Sequence, residues 1–260
     1  MTRAKPKLRK REIVLALAAG LLASGAGAVI LSEMNDDENE DVVRLVDSRE
    51  LRVGEFTQLE TVGPQDVNIT TGDAFTVRLE GDPEALARFS VSVENGVLHV
   101  RPEEGRPFDW SDDNDITVHV TAPTLEAITL AGSGDVHVDR ITGKAFNGGI
   151  AGSGSLDIDV VEVDEAKFSI GGSGDIAVAG EARNVTIEIG GSGTIAAENL
   201  QSRTARIAIA GSGDIDLVAM ETADISIMGS GDVHIAGPAT CTISKIGGGE
   251  VQCDSGQTSN

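Results

Sequence analysis

Aromatic residues are almost missing from this chain of 260 residues: it has no tyrosine, one tryptophan and six phenylalanines. Packing of large rings, which supplies much of the core in many domains, is therefore excluded as the main source of stability. Hydrophobic residues still amount to 40%, mostly small or β-branched, which excludes a disordered chain. The 32 glycines do not recur at every third position, which excludes collagen. One or two packed, turn-rich domains remain.

Basic residues are also scarce, at 20 Lys and Arg against 42 Asp and Glu. Six of the basic residues but only one acidic residue lie in residues 1–31, so the remaining chain holds 14 basic and 41 acidic side chains, a formal charge of −27. Such a body is repelled by polyanions. We therefore expect no nucleic-acid partner, and membrane contact only through residues 13–31.

The N-terminus has the pattern of an export signal. A basic segment at residues 3–11 is followed by nineteen uncharged residues and then by an acidic run, so the positive-inside rule predicts that the body is translocated. Nineteen apolar residues can span about 30 Å of hydrocarbon as a helix, whereas Ala26-Gly27-Ala28 matches the small-x-small cleavage pattern. Residues 1–31 are thus predicted to be a hydrophobic helix acting as a signal peptide or as a membrane anchor, and residues 32–51 an acidic linker.

An internal repeat organises the rest of the chain. The tripeptide Gly-Ser-Gly recurs six times at intervals of 18–20 residues, and Gly-Gly-Gly is a degenerate seventh copy. The copies begin at Gly132, Gly152, Gly172, Gly191, Gly211, Gly229 and Gly247. Aliphatic residues occupy the positions two and four before, and four and six after, the first glycine of nearly every copy. Alternation on both sides of a glycine corner indicates two short strands per repeat and fits no helix.

A unit of this kind cannot bury its apolar face alone. Coiling the chain stacks equivalent strands in parallel, about 4.8 Å apart, with one repeat forming one turn, or rung, of the coil. The sequence therefore predicts an all-β fold, a single-stranded parallel β-helix or solenoid with glycine corners. This domain is expected to cover residues 52–254, with less regular rungs before residue 131 and a polar tail at residues 255–260.

Five segments upstream of the repeat carry a resemblance to a known family. They are Phe56, Val67-Asn68-Ile69, Gly81-Asp82-Pro83-Glu84, Asn95-Gly96-Val97-Leu98 and Thr121-Ala122-Pro123-Thr124-Leu125. With the glycine corners that follow, about 200 residues resemble the "putative auto-transporter adhesin, head GIN domain" family. The resemblance implies a bacterial envelope protein with a right-handed parallel β-helix, an adhesive role and no catalytic residues. Together with the export signal at residues 1–31, the resemblance predicts a periplasmic body, either free or anchored in the inner membrane.

Acidic residues that follow the corners form a candidate calcium site. Asp214, Asp232 and Glu250 occupy the same position on consecutive rungs, so their carboxylates are expected about 5 Å apart, close enough to share Ca²⁺ with corner carbonyls. The alternative, which we favour, is that each carboxylate bonds its own turn backbone. His137 and His234 share one outward position but lie five rungs apart, too far to bind one metal. No cofactor is expected.

Two further pairs of residues have candidate roles. Cys241 and Cys253 fall on inward positions of the last rung, where they form either a disulfide, as an oxidising compartment permits, or two small buried hydrophobic residues. Phe108 and Trp110 lie in an acidic loop at residues 103–115. They are either a stacking platform for sugars or a cover over part of the solenoid.

The sequence predicts no catalytic residue, because no copy of the repeat completes the Gly-x-Ser-x-Gly pattern of a nucleophile elbow. It favours a non-enzymatic envelope solenoid that binds a cell-surface protein or glycan. One alternative is a carbohydrate-active β-helix enzyme resembling polysaccharide lyases, which needs acids clustered in a groove with Arg183, Arg203 or Arg206. Another is a periplasmic sensor anchored by its N-terminal segment.

Overall fold

The computed structural model describes residues 51–103 and 116–254, together with the backbone of three short strands, Leu31–Ser32, Asp41–Arg44 and Gln257–Ser259. Nearly all of the predicted signal or anchor segment, residues 1–31, lies outside the described residues. Within the described part, no helix is long and apolar enough to cross a membrane. Whether residues 1–31 are cleaved as a signal peptide or retained as a membrane anchor therefore stays a prediction.

The described chain is built almost entirely of strands. They are β1 Leu31–Ser32, β2 Asp41–Arg44, β3 Leu51–Arg52, β4 Gln58–Gly63, β5 Asp66–Thr71, β6 Thr76–Glu80, β7 Phe89–Glu94, β8 Val97–Pro102, β9 Thr117–Ala122, β10 Ala127–Gly132, β11 Asp135–Val138, β12 Ile141–Gly152, β13 Ser155–Gly172, β14 Asp175–Gly191, β15 Thr194–Gly211, β16 Asp214–Gly229, β17 Val233–Ala236, β18 Thr240–Gly247, β19 Val251–Cys253 and β20 Gln257–Ser259. One helical turn, α1 at Pro83–Leu86, is capped by Asp82, whose carboxylate accepts from the Glu84 N–H at 2.8 Å. The prediction of an all-β fold is confirmed.

Successive rungs stack in parallel with one corner directly on the next. Gly132 is in register with Gly152, Gly152 with Gly172 and so on to Gly247. The strands before the corners form one parallel ladder and the strands after the corners form another. The predicted parallel solenoid is therefore confirmed. The right-handed sense of the coil stays a prediction from the resemblance.

The positions predicted to face inward form the core. Ile189, Ile209 and Ile227, which precede successive corners, are 3%, 3% and 2% exposed and lie above one another in register. Each such aliphatic side chain stabilises the fold by about 1.5–3 kcal/mol relative to exposure. The pattern weakens only in the last rung, where Lys245 is exposed and Cys253 is half-buried.

Each corner depends on two glycines that face the backbone of the preceding rung. Gly172 has φ +137°, and a Cβ built there would lie 2.2 Å from the carbonyl oxygen of Gly152. A Cβ at Gly174 would lie 2.5 Å from the carbonyl oxygen of Gly154. Between the two, the Ser173 N–H donates to the Gly152 carbonyl at 2.9 Å. The serine therefore contributes a rung-to-rung hydrogen bond from its backbone.

The first corner of the solenoid lacks the repeat sequence. Gly63, with φ +128°, is in register with Gly132, and Gln65 takes the place of the third glycine. Gln65 is 2% exposed, and its amide nitrogen donates to Thr61 Oγ1 at 2.6 Å and to the Val62 carbonyl at 3.0 Å.

The N-terminal end is less regular, as predicted, but not all of it forms rungs. β8 and β9 pair in parallel with β4 and β5, whereas β7 runs antiparallel to β8, and β6 runs antiparallel to β9. The prediction of rungs is wrong for β6 and β7. For β7 the reason is the tight turn at Asn95 and Gly96, both with positive φ, because a two-residue turn joins only antiparallel strands.

The inward phase of the strands can be tested with one buried and one outward substitution. We expect Ile209→Asp to abolish cooperative folding, because a carboxylate would replace a buried aliphatic side chain without a charged partner. Thr194→Asp should cost about 1 kcal/mol, since it adds a third acid between Asp175 and Asp214 on the outward face. Circular dichroism during thermal unfolding measures both effects. An equal loss of stability in both variants would contradict the assignment of Ile209 as inward and Thr194 as outward.

The corner geometry predicts opposite outcomes at two adjacent glycines. Gly172→Ala should lower the free energy of unfolding by about 3 kcal/mol or more, because it combines an unfavourable φ with a contact against backbone. Gly171→Ala should change it by less than about 0.5 kcal/mol, since its Cβ would lie 3.8 Å from its nearest neighbour. Urea unfolding of the two variants compares them. A similar cost at both positions would show that the corners tolerate side chains.

Candidate interaction surfaces

The strands that follow the corners carry a face dominated by carboxylates, which we call the acidic face. It consists of the outward positions three, five and seven residues after the first glycine of each corner, from Gly63 to Gly247. Twelve of these positions are acidic: Asp66, Asp135, Asp139, Asp157, Asp159, Asp175, Glu198, Asp214, Asp216, Asp232, Glu250 and Asp254. None of these described positions holds Lys or Arg, and two hold histidine.

The strands that precede the corners carry a face of different chemistry, the low-charge face. Its outward positions, one, three and five residues before each first glycine, include five charged residues, namely Glu60, Lys167, Glu188, Arg206 and Asp224. Lys167 Nζ lies 2.8 Å from Glu188 Oε2, so these two charges offset each other. Every position directly before a corner glycine is Gly, Ala, Val, Met or Ile. The last two, Met228 and Ile246, are neighbours in register and are 65% and 70% exposed.

The predicted calcium residues lie together on the acidic face, and two of the three, Asp214 and Asp232, bridge to the next rung. Asp214 Oδ1 accepts from the Asp232 N–H at 3.2 Å, and Asp232 Oδ1 accepts from the Glu250 N–H at 2.5 Å. Asp175 does the same to the Thr194 N–H at 3.1 Å. The partner is thus the next rung and not the residue's own turn. These bonds give the carboxylates a structural role without a cation, and calcium binding stays a prediction.

Histidines at the N-terminal end pair with glutamates across neighbouring strands. His99 Nδ1 lies 3.3 Å from Glu60 Oε2, and His119 Nε2 lies 3.1 Å from Glu80 Oε2. The hydrogen bond from His119, aided by the charge of Arg78, lowers the pKa of Glu80 below its usual value. These pairs join neighbouring strands at the N-terminal end of the solenoid.

A third side of the solenoid, between β13 and β16, has an open groove of about 410 Å³. Arg183 and Arg203 line it together with Asp164, Glu181, Gln201 and Met220. Arg206, the third arginine considered from the sequence, lies instead on the low-charge face, near Asp224. The structure therefore brings two of the three predicted arginines together with acids.

Both groove arginines are already held by carboxylates. Arg183 Nη2 lies 3.3 Å from Asp164 Oδ1, and Arg203 Nε lies 2.7 Å from Glu221 Oε1. The hydrogen bond that Arg203 donates to Glu221, followed by the charge of that carboxylate, raises the pKa of Arg203. A ligand in this groove would meet two fixed cations with acids at either end, an arrangement suited to hydrogen bonding of polar groups.

The C-terminal end is closed by two contacts. The sulfur atoms of Cys241 and Cys253 lie at disulfide distance, 2.09 Å, joining the two strands of the last rung. Lys245 Nζ donates to the Gly249 carbonyl at 2.7 Å and so folds over the last corner. The candidate aromatic platform, Phe108 and Trp110, lies outside the described residues.

Several solved structures share this architecture. A protein described as a "putative adhesin" from Bacteroides fragilis is 23% identical, with a TM-score of 0.72, over 85% of this chain and 100% of that chain. Another "putative adhesin", from Parabacteroides distasonis, is 19% identical, with a TM-score of 0.65, over 84% of this chain and 98% of that chain. A "putative lipid binding protein" from the same organism is 20% identical, with a TM-score of 0.57, over 86% and 98%. At these identities the similarity shows the fold alone.

Sequence comparison identifies the family. Among curated proteins, none matches the chain. The family model described as "Putative auto-transporter adhesin, head GIN domain" matches residues 55–239, which confirms the resemblance seen in the sequence. The chain, with its glycine-cornered solenoid, belongs to this family.

Proposed function

We propose that this protein is a non-enzymatic adhesion or interaction module of the bacterial cell envelope, and that the acidic face is its main binding surface. Membership of an adhesin family supports the role and an envelope location. The observation that carries the proposal is the segregation of charge. One side of the corners holds twelve carboxylates without Lys or Arg, whereas the other side holds three acidic and two basic residues.

Stacked rungs make such a surface suitable for binding a partner. Each outward side chain projects from a backbone position that lies about 4.8 Å from its equivalents in the rungs above and below. A partner therefore meets a regular array of carboxylates on a backbone that is already ordered before binding. The negative potential steers cationic groups toward this face and accelerates association. The proposed ligand is a cell-surface protein or glycan that presents basic groups.

The proposed location follows from the predicted export signal at residues 1–31. Export by residues 1–31 would place the body in the periplasm, as a free protein after cleavage or as a body held at the inner membrane by residues 13–31. A body anchored in this way would fit the alternative function of a periplasmic sensor. Mass spectrometry of the native N-terminus distinguishes cleavage from retention.

The groove lined by Arg183 and Arg203 favours one alternative, a carbohydrate-active enzyme that uses these arginines with Asp164 or Glu181. Incubation of the protein with acidic and neutral polysaccharides, with and without Ca²⁺, tests this function. Turnover that disappears in Arg203→Ala would favour the enzyme. We expect no turnover.

The binding role of the acidic face is tested by removing charge while keeping its hydrogen bonds. In the triple variant Asp175→Asn, Asp214→Asn and Asp232→Asn, each amide oxygen can still accept from the next rung. We expect beads coated with this variant to capture basic partners from a bacterial envelope extract at least tenfold less than beads coated with the unmodified protein. Quantitative mass spectrometry of the captured material measures the difference.

A matched control removes the same charge from other surfaces. Glu126→Gln, Glu162→Gln and Glu165→Gln change exposed residues outside the acidic face. This variant should capture the same partners as the unmodified protein. Equal capture by both triple variants would show that net charge, and not the acidic face, determines binding.

A further inference from the structure

The geometry points to a binding site for a divalent transition-metal ion on the acidic face, formed by His137, Asp157 and Asp159. His137 lies on β11 and is in register with Asp157 on the next rung. Asp159 projects from the same side of that rung because it is two residues further along the chain. One ligand atom from each residue lies within 4.8 Å of the other two.

The two carboxylates approach different ring nitrogens of His137, and an ion would bind one of these nitrogens together with an oxygen of each aspartate. His137 Nδ1 lies 3.8 Å from Asp157 Oδ2, and His137 Nε2 lies 3.5 Å from Asp159 Oδ2. Ligand atoms of a tetrahedral zinc ion, at about 2.0–2.2 Å from the metal, stand roughly 3.3 Å apart. All three side chains are exposed, so rotation about their χ angles can bring the three ligand atoms, now within 4.8 Å of one another, to this spacing.

The chemistry of the donors selects the class of metal. One imidazole and two carboxylates suit Zn²⁺ and its neighbours such as Ni²⁺ and Cu²⁺ better than Ca²⁺, which prefers oxygen ligands alone. Three protein ligands leave a coordination position open to water or to a donor from another molecule. The surrounding carboxylates raise the local concentration of cations. Asp139 is a poor ligand because both of its carboxylate oxygens already accept from the Thr71 N–H.

A second histidine on the same face provides an internal control. His234 also lies between two carboxylates, with Nδ1 3.4 Å from Asp216 Oδ1 and Nε2 3.4 Å from Asp254 Oδ1. Asp216 belongs to the rung before His234 and Asp254 to the rung after it. The strands that carry these acids are therefore two strand spacings apart, about 9.6 Å. Among the described residues, only the His137 group brings one ligand atom from each of three residues within 4.8 Å of one another. If the histidines only form ion pairs, both should respond alike to added metal. If His137 binds a metal ion, His137 should respond and His234 should not.

The test is a titration of the full chain, first treated with EDTA, with ZnCl₂. Imidazole nitrogen NMR signals report each histidine separately. We expect the His137 signals to shift with a stoichiometry of one ion per chain while the His234 signals stay in place. Equal response of the two histidines, or no response of His137, would overturn the proposal.

Variants assign the ligands. His137→Ala and Asp159→Asn should each weaken Zn²⁺ binding at least tenfold by isothermal titration calorimetry, whereas His234→Ala should leave it unchanged. Thermal unfolding without metal should be similar for all three variants, because every substituted side chain is solvent-accessible. Unchanged affinity in both His137→Ala and Asp159→Asn would overturn the site.

Discussion

Direct contact between the backbones of successive corners is the constraint on which the rest of the structure depends. At each corner a glycine carbonyl accepts a hydrogen bond from the serine N–H of the next rung, at 2.8–3.2 Å. The same approach leaves no room for a Cβ at Gly172 or Gly174. This contact fixes the register of one rung on the next. Once the register is fixed, every strand residue lies against its equivalent in the neighbouring rungs.

The fixed register explains both the core and the surfaces. Inward, it places isoleucine on isoleucine, so that aliphatic columns replace the aromatic packing that the chain lacks. Outward, it converts one position of the repeat into a column of like side chains, which is how the acidic face arises. Neighbouring carboxylates would repel each other, but Asp175, Asp214 and Asp232 each bond the backbone of the next rung. The acidic face is therefore held in place by the same stacking that creates it.

A stack of rungs has two open ends, and each open end exposes core residues and unpaired strand edges. Both ends of this solenoid are covered. At the N-terminal end, the antiparallel strands β6 and β7 cover β9 and β8. At the C-terminal end, Cys241 and Cys253 join β18 and β19, and Lys245 occupies a position that isoleucine holds in earlier rungs. Solved relatives at 19–23% identity keep this fold.

The sequence by itself determined the period, the corners and the inward positions, since these follow from local alternation around each glycine. Ile209 and its equivalents are buried as that pattern predicts. Tertiary structure alone decided the first corner at Gly63, which lacks the repeat sequence, and the antiparallel course of β6 and β7. It also decided which charges meet. His137 and His234 share one repeat position, yet only His137 has both of its carboxylates on a single neighbouring rung. Such differences depend on residues about 20 positions away, so no local pattern contains them.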